Sequence, residues 1–217
     1  MQKEYVENIG DEHIGTAIDT PLRPDAFAKS DNEKIAIIEH HFAEIMLALG
    51  LDLTDDSLSG TPYRVAKMYV KEIYRGLNPV NKPAISVFEN KYGYREMLVE
   101  KNIKLHSNCE HHFVPMVGRV HVAYIPGDKV IGLSKLNRIV QYYSQRPQVQ
   151  ERLGFQIANE IKSILQIDDV AVYIDAKHLC VSTRGVKDES SSTVTTVFSG
   201  LFQEAATRQE FLKYIAD

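Results

Sequence analysis

The chain has no tryptophan, only two cysteines and no uninterrupted apolar run long enough to cross a membrane. Stretches such as IAIIEHHFAEIMLALGL are broken by histidines and carboxylates, so neither a membrane span nor a membrane partner is expected. The opening MQKEYVENIGDEHIG lacks a basic segment followed by an apolar one, which argues against a secretory leader and for a cytoplasmic address. In that reducing setting two cysteines serve as ligands, nucleophiles or core thiols more readily than as a structural disulfide. A basic excess is missing too. With 25 Lys and Arg against 29 Asp and Glu, the formal net charge of −4 speaks against binding nucleic acid through a general positive field, while a local basic pocket for a small anion stays open. The 12 Gly and 8 Pro are too few for a disordered or fibrous chain, and 44% hydrophobic residues over 217 positions suffice for one sizeable soluble core.

Residues 1–30 are expected to be a loosely ordered extension ending in the proline-punctuated TPLRPD. A helical region, 31–95, follows. Ser30 with Glu33 forms a capping box for a helix whose apolar positions Ile35, Ile38, Phe42, Ile45, Met46 and Leu49 face inward, with His40 and His41 at its surface. Thr61-Pro62 starts a second helix, Thr as N-cap, and Gly76 stops it. From residue 96 the period changes. Val99, Ile103 and Leu105, then VGRVHVAYIP, predict two strands; helices are predicted from Gly132 to Ser144 and from Pro147 on; strands at 169–181 and 191–198 and a helix capped by Thr207 and Glu210 complete the chain. This order predicts an α+β fold with an antiparallel sheet covered on one face by helices and two bare edges to be covered or paired.

The chemistry gathers around SNCEHHFVP. Cys109 and His112 have a spacing that zinc sites use, and Cys180 stands at the end of a strand whose even positions Val170, Val172, Ile174 and Ala176 are aliphatic before His178 and Cys180. Two thiolates and an imidazole favour zinc over magnesium or calcium. Three protein ligands leave a place for water, whose pKa zinc lowers to about 7, so a hydrolase is the natural expectation. The competing expectation is a closed structural site with His111 or His178 as fourth ligand; otherwise these two histidines serve as acid and base beside the metal. Ser134, Lys135 and Arg138 at a helix start, with Arg184 after Cys180, suit an anion, and Arg64 and Lys67 on one helix face either join it or form an ordinary solvated stripe. Glu151, beside Gln150, either accepts the paired N–H groups of a guanine edge or simply complements its helix dipole.

The segments CEHHFVP, VAYIP, VIGLSKLNRIVQYYSQRPQVQERL and IDAKHLCVSTRGVKDESSSTVT, with TPYRVAKMY before them, closely resemble the motifs of the class I GTP cyclohydrolase family from about Asp31 to the C-terminus. The resemblance implies conversion of GTP to 7,8-dihydroneopterin triphosphate with release of formate. It implies Zn2+ on Cys109, His112 and Cys180, proton transfers by His178 and His111, a guanine edge held by Glu151 with Gln150, and a triphosphate among Ser134, Lys135, Arg138, Arg184, Arg64 and Lys67, some from a neighbouring subunit. The fold implied is the tunnelling fold, assembled edge to edge into a homodecamer of two pentamers. A non-catalytic nucleotide-binding regulatory module with a structural zinc is the other reading.

Overall fold

The computed structural model describes residues 17–216. Most of the expected N-terminal extension lies outside that range. Helix α1 (Asp31–Ala48) opens on the expected capping box: the Ser30 side chain accepts from the Glu33 N–H, and the Glu33 carboxylate accepts from the Ser30 N–H at 2.7 Å. Its expected inward set divides. Ile35 and Met46 are buried, but Ile45 and Leu49 are 52% and 73% exposed, together with Leu47. The C-terminal end of this one apolar stripe is thus left uncovered by the chain, and Leu47 is exposed on the opposite side of the helix.

Helix α2 (Thr61–Met68) is N-capped by Gly60, one residue earlier than expected, and winds into a π-turn at Tyr69–Ile73 instead of running on to Gly76. Gly76 is required for another reason. Its N–H donates to the Gln145 carbonyl at 3.0 Å, and a Cβ there would stand 2.1 Å from the Tyr142 carbonyl oxygen. Strand β1 (Val87–Glu89) then crosses to pair with β4 (Lys129–Ile131).

The main sheet is built from β2 (Leu98–Cys109), β3 (Pro115–Tyr124), β6 (Val170–His178) and β7 (Thr193–Phe198), antiparallel throughout, with the two-residue β5 (Pro147–Gln148) parallel to the end of β2. Helices α3 (Leu133–Ser144) and α4 (Gln150–Leu165) cover one face, so the expected α+β architecture is present. Between sheet and helices lies the core: Leu105, Val120, Val122, Val172 and Ile174 meet Leu136, Ile139, Leu153, Ile157 and Ile161. Pro147 belongs to β5 and not to the helix, because its neighbour Gln148 takes the edge of β2 before α4 begins. Strand β6 ends at His178, two residues short of Cys180, which sits on a one-turn helix, Leu179–Ser182. The last helix, α5 (Ala205–Tyr214), starts after Glu204 and not at Thr207. It brings Phe211, with Phe202, onto the second sheet face at Ala123 and Ala171. Val99, Tyr173 and Phe198 pack around them, half-buried.

Leu153 is fully buried where α4 meets the sheet. Leu153→Ala is expected to cost roughly 2–5 kcal/mol through lost burial and the cavity left behind, read as a lower midpoint in chemical denaturation.

Candidate metal centre and the residues around it

Strand register decides which chain ends meet. Ser107 pairs with Met116, and Met116 pairs with His178, so the end of β2 and the end of β6 lie in one row across β3. Beyond β2 the chain turns at once. The Cys109 N–H donates to the Val114 carbonyl and the Phe113 N–H to the Cys109 carbonyl, both at 2.9 Å, with Phe113 at φ 56° and its carbonyl held by Asn108 Nδ2. This turn carries His112 back over Cys109. The one-turn helix after β6 supplies Cys180 from the other side.

One donor atom from each of Cys109, His112 and Cys180 lies within 4.8 Å of the others. Two donors about 2.3 Å from a tetrahedral ion stand about 3.8 Å apart, so two sulfurs and one imidazole in this arrangement fit zinc with modest closure. Among the described residues this set of mutually close donors stops at three. His111 stands beside it, Nδ1 at 3.5 Å from the Cys109 sulfur. Burial, reinforced by the neighbouring Cys109, pushes the Cys180 thiol above its ordinary value. Arg184 reaches the same place, an N–H of its guanidinium donating to His112 Nε2.

His178 is half-buried and held from behind. Gln150 Nε2 donates to the Thr193 carbonyl at 2.8 Å, the Ile174 carbonyl at 3.3 Å and Thr195 Oγ1 at 3.1 Å. Carbonyl oxygens only accept, so the amide orientation is fixed and Oε1 must face His178 Nε2, at 2.8 Å. The proton then sits on Nε2 and Nδ1 is left as the acceptor in the neutral ring. Burial lowers the His178 pKa, with the Glu151 carboxylate opposing it. The Gln150 side chain is thus committed within the protein, whereas Glu151 is exposed and borders a hollow of about 420 Å³ with Ala17, Ile18, Arg152, Phe155 and Asn159.

The anion-binding candidates separate from this centre. Lys135 donates to the Ala84 carbonyl, and Asn137, next to Arg138, donates to Glu100 at the start of β2. Glu100 and Cys109 are nine residues apart on one strand, roughly 30 Å. Ser134, Lys135 and Arg138 therefore stand at the far end of the sheet from the chain's own cysteines. Arg64 is bound locally, to Thr61 Oγ1 and the Ser57 carbonyl, and neither it nor Lys67 is drawn to the cluster through a hydrogen bond or ion pair among those found.

Two polar contacts were not anticipated from sequence. Glu110, inside the turn, forms a two-point ion pair with Arg152 of α4, and Gln148 links β5 to Gln156. No local signal in the sequence announced the first, because Glu110 and Arg152 become neighbours only through the fold.

A three-donor sulfur and nitrogen cluster with two further histidines close by in the chain, on an antiparallel sheet backed by two helices, is an arrangement compatible with a metal-dependent enzyme. The profile of the GTP cyclohydrolase I family matches residues 38–216. The chain is 56% identical to the GTP cyclohydrolase 1 of Flavobacterium johnsoniae, over 98% of this chain and 96% of that protein. It is 54% identical to that of Vibrio parahaemolyticus (98% and 94%) and 51% to that of Citrobacter koseri (93% and 91%). The chain belongs to the GTP cyclohydrolase I family.

Thiols ligate as thiolates, so zinc offered to this cluster would displace thiol protons, against the burial that raises the Cys180 pKa. Zinc binding is expected to release protons at neutral pH and to tighten as pH rises toward the thiol range; calorimetry in buffers of different ionisation enthalpy measures both. Affinity independent of pH would exclude the thiols as ligands.

Proposed function

We propose that this protein is a zinc-dependent GTP cyclohydrolase that converts GTP to 7,8-dihydroneopterin triphosphate and formate, the first step of folate and pterin synthesis, in the cytoplasm. The observation that carries the reading is the convergence of Cys109, His112 and Cys180, from two distant parts of the chain, beside a His178 whose acceptor nitrogen is defined. These three residues would hold the zinc. Bound there, it supplies Lewis acidity and a water ligand of lowered pKa.

The chain's own groups do the rest. Excising C8 of guanine as formate breaks two C–N bonds, and each departing nitrogen needs a proton. His178, donating through Nε2 to Gln150, keeps Nδ1 to take a proton and return it. His111, in the turn beside Cys109, is placed for the second transfer and for the later sugar rearrangement. Glu151 accepts the N1–H and exocyclic N–H of guanine, which adenine does not present. Gln150 supports this edge from behind by fixing the first turn of α4 against β6 and β7. Arg184 is the cation that the same chain brings to the site.

The triphosphate cradle needs another copy. Ser134, Lys135 and Arg138 lie on the first turns of α3, where Asn137 meets Glu100 toward the opposite end of β2 from Cys109, so a neighbouring subunit presents them, and Arg64 and Lys67 with them. Two features support assembly into the tunnelling-fold homodecamer of two pentamers. The outer edge of β7 has no strand partner among the described residues, and α1 exposes Ile45, Leu47 and Leu49. A closed structural zinc site, as the regulatory alternative requires, would need a fourth protein donor. Neither candidate, His111 or His178, belongs to the group of donors that lie within 4.8 Å of one another among the described residues.

Zinc-loaded protein given GTP is expected to release formate and a product that fluoresces as a pterin after oxidation. ATP should give neither, and ITP, lacking the exocyclic amine, should lose roughly tenfold or more in kcat/KM. His178→Ala should lower kcat by about a hundredfold or more at unchanged zinc content. Fully zinc-loaded protein that yields no formate contradicts the reading.

A further inference from the structure

Arg152 lies on α4 directly after Gln150 and Glu151, and its hydrogen bonds go to neither His178 nor the strands that Gln150 reaches. Its side chain is only 2% exposed. Nη1 and Nη2 donate to the two Glu110 carboxylate oxygens at 2.5 and 3.1 Å, a forked pairing that fixes orientation as well as distance. Nε donates at 2.8 Å to the carbonyl of Ala17. Glu110 is the residue between Cys109 and the two histidines of the turn.

A second chain of hydrogen bonds reaches the same residue. Asp19 Oδ1 accepts from Gln156 Nε2 at 2.7 Å, Gln156 Oε1 accepts from Gln148 Nε2 at 2.8 Å, and the Gln148 carbonyl accepts from the Glu110 N–H at 3.0 Å. Side chain and backbone of Glu110 are therefore both anchored, and both anchors lead back to residues 17–19. Gln148 and Gln156 are themselves buried, so each missing partner would leave a polar group without water.

We propose that Arg152 is a positioning residue for the metal centre: with Glu110 it braces the Cys109–His112 turn in ligating geometry, and residues 17–19 complete the brace by taking the Arg152 Nε–H and the Gln156 amide. The inference rests on the reading of Cys109, His112 and Cys180 as zinc ligands. Its consequence is that the segment preceding α1 governs how tightly the metal is held. The placement has a simple electrostatic sense: the turn carries a carboxylate between a thiolate and an imidazole, and a buried guanidinium offsets that carboxylate without competing for the ion. Arg suits this role where Lys does not, because only the planar fork meets both carboxylate oxygens and a carbonyl at once.

The test is the transfer of zinc from the intact loaded enzyme to a coloured chelator, beside steady-state kinetics with GTP. Arg152→Met and Glu110→Gln are each expected to weaken zinc retention about 10- to 100-fold, the usual effect of removing a group that orients a ligand. The double variant should lose no more than the stronger single one, since both remove the same pairing. Arg152→Lys should restore retention only in part, and Asp19→Ala should shift it in the same direction by a smaller factor. KM for GTP should stay within about twofold in variants reloaded with zinc. A purely structural role would lower thermal stability without changing zinc release well below the melting temperature. Should Arg152→Met fail to fold, Glu110→Gln, whose side chain is partly exposed, decides the matter with Arg152→Lys. Folded variants that release zinc at the unmodified rate, or single effects that multiply in the double variant, overturn the brace. Unmodified protein that holds zinc but makes no formate refutes the proposed function and leaves the chelator comparison valid; protein that takes up no zinc overturns both.

Discussion

The register of three strands is the constraint from which the site follows. With Ser107, Met116 and His178 in one row, β2 and β6 end together, and the turn after one and the helical turn after the other bring their sulfurs to a common point. A slip of one residue would exchange faces along the whole strand. Val170, Val172, Ile174 and Ala176, all buried against α3 and α4, hold β6 in place through ordinary hydrophobic burial. The Cys109, His112 and Cys180 cluster is thus positioned by aliphatic residues that are not part of it.

The first turn of α4 is the second organising feature. Gln150 reaches back to β6 and β7 and sets the tautomer of His178, Glu151 faces out, and Arg152 reaches the turn that carries Cys109 and His112. Successive helical residues point about 100° apart, so three neighbours in sequence serve three different directions. A packed helix holds such groups in fixed relative positions, which limits the reorganisation that any reaction between them would need.

Much of this was legible in the sequence, for physical reasons that can be named. The capping box at Ser30, the alternation along β6, and the Cys/His spacing at 109–112 are local signals, and local signals fix elements and mark candidate ligands. Cys180 was recognised as a ligand candidate although the strand ends at His178, because polarity changed at the end of an aliphatic face whichever backbone form followed. What could not be read was tertiary: that Lys135 and Arg138 lie at the opposite end of the sheet from the cysteines, that Pro147 belongs to an edge strand, and that Arg152 pairs with Glu110. Each depends on which segments become neighbours. The exposed Ile45 and Leu49 of α1 make the same point at the next level, since their periodicity matches a buried face while this chain alone does not bury them.

The proposed chemistry reduces to one coordination sphere with a position left for solvent or substrate. X-ray absorption at the zinc edge of fully loaded protein measures it directly. Two sulfur donors at about 2.3 Å, one imidazole nitrogen at about 2.0–2.1 Å and one light donor from outside the chain are expected. A sphere closed by a second imidazole, or one without sulfur, would contradict it.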